Sequence, residues 1–570
     1  MEDNHQQERK AKFLDCCKDT KPQREKFMVS LRKKHRQDIF KKKRKLCEAP
    51  VGKHNYNPPD FYKEDLDLRG NVLIVKETLQ NCDFNFDEIF SYLHLLKKLL
   101  GDDDLTLESA TYIMEENMLD LILGFLSKDF TSTLNEDQAC MLINEILMIV
   151  NGLVSKELNF LVKYKILDKR YGVINFLHEN LQSYDKGPII INTFMTCGNI
   201  AMESMYCPLL RKTNFLAKSK YLLELPTITI SLENEILDAL RYFIEMKLSP
   251  LEAEMIVEML SRFLFLKEPN NNPFGAVSPN WSRQISVLRK VLEIFIEMTN
   301  TTDIVNQANE YGVLLKLNSM LLDSELEIDM ETEDPPEDYE SIKCLVVKTI
   351  GAILSSEESE PINELLEQGI MDNLMKACDT NDLLCLEKVL WVACNISVTS
   401  ESTAMTVSKT ELFEYAANGL MDDAIESADI KNEACMLLIN TFCCLPQSCK
   451  VDIIAQCIGK DNSKFLITLV KSLSEIDRPE TQRWILDCLH QIFSTARDHP
   501  PFDYHGSFLA DILDEFVDCS GPETIDAFLE DENEHISKIA NELYHEYLDE
   551  SYQETMLPPP EELPHNQLNF

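Results

Sequence analysis

EKVLWVACNIS, residues 387–397, holds Trp391 and Asn395 four positions apart inside an apolar run. On an α-helix that spacing puts both side chains on one face. The pair recurs in altered form: Asn440 follows Met436 by four residues, and Asn199 follows Met195 by four. Read along the chain, an apolar helix with a polar or substituted centre appears as IVNGLV at Asn151, CGNIA at Asn199, LRYFI at Tyr242, LEIFI at Phe295, IGAIL at Ala352, ACNIS at Asn395, LINTF at Asn440 and LHQIF at Gln491. Successive spacings are 48, 43, 53, 57, 43, 45 and 51 residues.

These intervals bracket the period of roughly 40 to 47 residues of HEAT and armadillo units, with the longer ones carrying insertions at Asn270 to Asn280 and Asp323 to Glu340. A unit of two or three helices cannot bury its apolar faces alone, so neighbours must stack and share one core. The scarcity of glycine (16 of 570 residues) and the abundance of Leu, Ile, Met, Glu and Lys favour helix over turn-rich sheet. The expected fold is all-α: an armadillo-repeat, right-handed superhelical solenoid of about ten repeats, one helix per repeat lining its concave wall.

Charge divides the chain. Residues 1–46 hold 16 Lys and Arg against 7 Asp and Glu, net +9, while the rest carries net −51. So acidic a body argues against nucleic acid as partner, because phosphate binding needs surplus Lys and Arg. The 18 cysteines lie scattered through apolar helices without zinc-type spacing, and read as small core residues of a reducing compartment. Met141 to Val154, the most apolar run, is interrupted by Asn144, Glu145 and Asn151, so no membrane span and no secretory leader is expected. Phosphate loops, metal-ligand spacings and nucleophile elbows are absent from the sequence, so neither enzyme activity, cofactor nor metal is expected.

EKVLWVACNIS, NEACMLLINTF, FMTCGNIA and WILDCLHQIF resemble the third helices of importin-alpha armadillo repeats. The resemblance implies that asparagine amides hold the backbone of an extended cargo peptide while tryptophan rings seat the stems of its Lys and Arg. An amide both donates and accepts, which suits it to any peptide backbone, and an indole face attracts a cation by roughly 0.5–2 kcal/mol. By register Asn151, Met195, Asn199 and Glu203 would belong to a first groove, and Trp391, Asn395, Glu433, Met436 and Asn440 to a second. The sequence departs from the pattern where Leu147, Met195 and Met436 occupy tryptophan positions, and where Asp238 and Tyr242 stand for Trp and Asn. Methionine still packs an aliphatic stem but lacks the ring quadrupole, so weaker or altered recognition centred on Trp391 and Asn395 is expected.

Two further segments extend the resemblance. SLRKKHRQDIFKKKRK is similar to the importin-beta-binding segment of the family, which makes Leu31, Arg32, Lys33, Lys34, Arg36, Lys41, Lys42, Lys43 and Arg44 the expected contacts to importin-beta. Phe27, Leu31, Ile39 and Phe40 recur among these charges as an amphipathic helix requires. Cys519 to Leu548 resembles the last importin-alpha repeat, grasped in the family by the exportin that recycles the adaptor, through Ile525, Leu529, Glu532 and Asn533. The expected domains are a basic arm (1–50), a linker (51–75), cargo-binding repeats (76–498), a C-terminal repeat (499–550) and an acidic tail (551–570). The resemblance implies a nuclear import adaptor shuttling between cytoplasm and nucleus. Its partners would be importin-beta, cargo with Lys/Arg-rich signals and the exportin, with room for nuclear pore components. A rival reading is a specialised armadillo scaffold outside general import, favoured by the missing tryptophans.

Overall fold

Serine, threonine and asparagine open the helices that matter most. Asn135 and Gln138 form a reciprocal capping box, while Thr229, Ser341 and Ser427 each accept a hydrogen bond from the backbone N–H three residues on. The computed structural model describes residues 68–81, 85–101, 106–156, 158–264, 279–323, 340–355, 360–377, 383–419, 427–458 and 464–549. All regular structure among them is helical.

Many of the described helices fall into recurring sets of two short ones and a longer third. The third helices form a ladder: α1 (Phe86–Gly101), α2 (Glu136–Val154), α3 (Pro188–Ala201), α4 (Ile230–Phe243), α5 (Pro279–Thr299), α6 (Ile342–Ile353), α7 (Leu383–Ser397), α8 (Ala428–Cys444), α9 (Pro479–Asp498) and α10 (Glu534–Leu543). Glu360–Glu367 and Ile370–Ala377 precede α7, for example, and Glu401–Val407 and Glu411–Gly419 precede α8.

The corner between the two short helices has a backbone signature. Gly172, Gly312 and Gly369 stand there with φ of 70°, 66° and 72°, and Asn117 and Ser520 take the same left-handed conformation at 55° and 61°. The next residue starts a helix, and Met118, Val173, Val313 and Ile370 are all buried. A left-handed residue is cheapest as glycine, which has no Cβ to strain.

Hydrogen bonds repeat the sequence period in space. Asn199 and Asn151 pair at a separation of 48 residues, Asn440 and Cys394 at 46, Thr468 and the Ala417 carbonyl at 51, and Thr481 and Asn432 at 49. Paired contacts also fix direction. Asn144 meets Asn192 as Asn151 meets Asn199, and Asp238 meets Lys290 as Arg241 meets Glu293, so ladder helices run parallel. This is the geometry of armadillo-type helical repeats, in agreement with the all-α repeat class expected from the sequence.

The chain forms two compact units, Met1–Asn199 and Ile200–Phe570. In the first, α1 packs on α2. In the second, each ladder helix from α4 to α10 packs on the next, over a core that pairs Phe215 with Phe243, Phe442 with Phe465 and Phe493 with Phe516 at centroid distances of 5.2, 5.4 and 5.0 Å. Burying one such ring is worth about 1.5–3 kcal/mol.

Two sequence expectations need adjusting. Helix Leu68–Asn81 begins inside the span expected as linker, because Val72, Val75 and Leu79 give it a buried apolar face. By length and composition α2 is apolar enough to cross a bilayer, although the run was expected to be too interrupted; its buried side chains include Glu145 and Asn151, which hydrogen-bond to α1 and α3. The basic arm, most of the linker and of both long insertions, and the acidic tail lie outside the described residues.

Candidate functional site

In the first unit the wall is built by α1, α2 and α3. Its asparagines bond to one another: Asn199 Nδ2 donates to Asn151 Oδ1 at 2.7 Å, and Asn151 Nδ2 donates to Met195 Sδ at 3.2 Å. Asn151 and Asn199 are only 6% and 5% exposed, Met195 is buried with them, and Leu147 is fully buried. Asn192 Nδ2 adds a second rung to Asn144 Oδ1 at 2.8 Å, where both side chains are half-buried. The structure thus brings Asn151, Met195 and Asn199 together, as a closed ladder between helices. Asn199 Oδ1 is the acceptor left over, buried and without a partner.

One turn before this ladder, Glu145 Oε1 accepts Lys97 at 2.7 Å and meets His94 Nδ1 at 3.0 Å, tying α2 to α1. Burial raises the carboxyl pKa, but the His94 hydrogen bond and the Lys97 charge outweigh it and hold the group below its ordinary range.

In the second unit Glu203 is buried just beyond α3, and its charge, after burial, helps to raise the pKa of Tyr206. On α4 and α5 the wall is cross-linked by the chain's own charges. Arg241 donates to Glu293 at 2.7 Å and to Glu297 at 2.6 Å, and Lys290 meets Asp238 at 2.9 Å. Tyr242, expected at an asparagine position, is buried with its hydroxyl unpartnered. Burial pushes that hydroxyl's pKa far upward, so it stays protonated. Phe295, expected in the repeat pattern of the wall, is fully buried core; the partly exposed residues of α5 include Arg289, Lys290, Glu293 and Glu297. The apolar period alone does not distinguish the buried from the exposed side of such a helix.

From α7 onward the wall changes character. Leu384, Glu387, Trp391, Asn395 and Val398 recur every three or four residues and, with Lys388 beside them, are partly or fully exposed, while Val389, Leu390, Val392 and Ala393 are buried. The Trp391 ring lies against α6 at Gly351, where an added Cβ would sit 2.3 Å from Trp391 Cζ3. Only glycine leaves that ring its seat. Asn395 Nδ2 is buried and has no partner, which leaves a donor to be satisfied. On α8, Glu433 and Met436 are partly exposed, whereas Asn440 is buried and donates to Cys394 Sγ at 2.8 Å, closing the α7–α8 seam. Gln491 on α9 accepts Lys450 Nζ at 3.2 Å.

At the C-terminal repeat, Ile525 is buried and serves packing, while Glu532 and Asn533 are exposed. Asn533 Oδ1 caps α10 by accepting the His535 N–H, and the Leu529 carbonyl accepts Ser537 and Asn541. Leu31 to Arg44 lie outside the described residues.

No model of a known protein family matches the chain, and no curated protein does. Among solved structures it is similar to the crystal structure of an engineered protein, with a TM-score of 0.60 at 14% identity, over 85% of this chain and 100% of that one. Over about half its length it aligns with two designed armadillo repeat proteins. One has a TM-score of 0.35 at 14% identity, covering 50% of this chain and 97% of its own. The other, in complex with peptide (KR)4, has 0.34 at 17%, covering 51% and 99%.

Proposed function

We propose that the chain is a peptide-binding adaptor whose α7–α8 wall holds an extended Lys/Arg-rich segment, and that it serves nuclear import by linking such cargo to importin-beta through residues 1–50. The observation that supports this best is the exposed stripe on α7, where partly exposed Asn395 stands one turn from Trp391. Rotation of the Asn395 amide about its side chain would present it to a peptide backbone, the indole face would take a cationic stem, and Glu433 with Glu387, which holds Lys388 at 2.6 Å, would supply the opposite charge. On this reading the chain shuttles between cytoplasm and nucleus, and a recycling exportin meets the C-terminal repeat around Glu532 and Asn533.

The test is fluorescence anisotropy with a labelled lysine-rich peptide on the full chain. Trp391→Ala and Asn395→Ala are each expected to weaken binding about three- to tenfold. If both variants bind as the parent does, the wall is not the peptide site. A pull-down addresses the import step: residues 1–50 should retain importin-beta and release it to the nuclear form of the small GTPase Ran.

The specialised-scaffold reading has an observation in its favour, the closed Asn151–Asn199 ladder in the first unit. It would be preferred if the wall bound peptide while residues 1–50 failed to retain importin-beta.

A further inference from the structure

The reading above concerns α7 and α8, but the exposed stripe continues onto α9. Glu480, Trp484, Asp487, Gln491 and Ser494 follow one another at intervals of four, three, four and three residues, all partly or fully exposed, while Ile485, Cys488, Leu489 and Ile492 are buried. Thr481 Oγ1 donates to Asn432 Oδ1 at 2.7 Å and holds this edge of α9 against α8. Met436 lies four residues after Asn432 and Trp484 three after Thr481 on parallel helices, so the register set by the Thr481–Asn432 bond places both residues on the same side of the seam. Trp391, Met436 and Trp484 thus stand one repeat apart in sequence on three successive ladder helices.

The Trp484 ring already carries a cation. Arg483 Cζ lies 5.8 Å from its centroid, and Arg483 Nε is 3.8 Å from Asp487 Oδ2. Adjacent helical residues point about 100° apart, so the guanidinium bends across to reach the ring. Both members of the Arg483–Asp487 pair are more than 40% exposed, which makes the arrangement weak and easily exchanged.

We propose that Trp484 and Asp487 form a further cation slot of the wall, held in the free protein by Arg483 and given over to a Lys or Arg side chain when an extended cationic peptide binds. The inference rests on the peptide-binding reading of α7 and α8. Charge complementarity identifies the occupant: Glu433, Glu480 and Asp487 border the slot in a chain of net charge −42. Geometry sets its length. Packed helices stand about 8–10 Å apart and a strand advances about 3.4 Å per residue, so one more repeat is matched by roughly two or three more peptide residues.

Alternating Lys-Arg peptides of six and nine residues, titrated against the full chain, test this. Trp484→Ala is expected to weaken the nine-residue peptide about three- to fivefold and leave the six-residue one nearly unchanged, whereas Trp391→Ala weakens both. Trp484→Phe, which keeps the packing and a weaker ring, should fall between parent and Ala. Arg483→Ala should tighten the longer peptide about two- to threefold by freeing the slot. If neither Trp484 variant changes the nine-residue affinity while Trp391→Ala does, the α9 slot is overturned and the α7–α8 reading stands. If Trp391→Ala is also silent, both fall. A loss of affinity in Arg483→Ala would overturn its role as resident cation.

Discussion

Glu145 shows how much one side chain can decide. Its carboxylate joins α1 to α2 through Lys97 and His94, and its pKa lies below the ordinary glutamate value because these partners outweigh burial. For a depressed carboxylate the stabilisation is complete above the unfolded pKa, about 4.3, and is lost as pH falls through the folded value. Glu145→Gln should therefore lower stability at pH 7 by about 1–3 kcal/mol and flatten the acid sensitivity of this unit below about pH 4.5. Denaturant melts of parent and variant at pH 7 and pH 4 read both effects, and equal stability at pH 7 would refute the role. In sequence Glu145 was one interruption in an apolar run. Its partners, 51 and 48 residues earlier, are neighbours only because repeats stack.

At the scale of elements, the left-handed corners distinguish glycines that composition treats alike. Gly312 ends one short helix and begins another at φ 66°, whereas Gly124 closes its helix at ordinary φ with nothing near its missing Cβ. Gly312→Ala is expected to cost about 1–2 kcal/mol from the strain of a Cβ in that conformation. Gly124→Ala should be neutral or stabilise by up to about 1 kcal/mol through the unfolded state. Thermal melts of the two variants check this, and equal shifts would dissociate the corner from its conformation. The sequence carries this signal as Tyr-Gly-Val at 171–173 and again at 311–313, outside the Asn-centred helices that carry the period. The apolar period locates the ladder helices but does not fix the rotation of α5, because Phe295 satisfies that period from the core side.

For the whole molecule, the split between residues 1–46 at +9 and a remainder at −51 leads us to propose that the arm competes with a cationic ligand. A tethered segment acts at high effective concentration, so removing residues 1–50 should raise the affinity of the remaining chain for a Lys/Arg peptide. The advantage should shrink as salt rises from about 0.05 to 0.3 M, since screening shortens the reach of exposed charges. Isothermal titration of full and truncated chains at both salt concentrations measures it. Equal affinities at low salt would exclude competition by the arm.

Period and composition alone determined that the chain is helical and repetitive, because an amphipathic unit of about 45 residues can bury its apolar face only against copies of itself. They also located Trp391 and Asn395 on one helical face, since that depends only on local spacing. Tertiary structure decided which polar groups stay available. Asn151, Asn199 and Asn440 read in sequence like Asn395, yet they are buried and hydrogen-bond across seams while Asn395 stays partly exposed. The difference arises from side chains one repeat away, such as Met195 and Cys394, whose approach depends on how helices pack rather than on any spacing within a single segment.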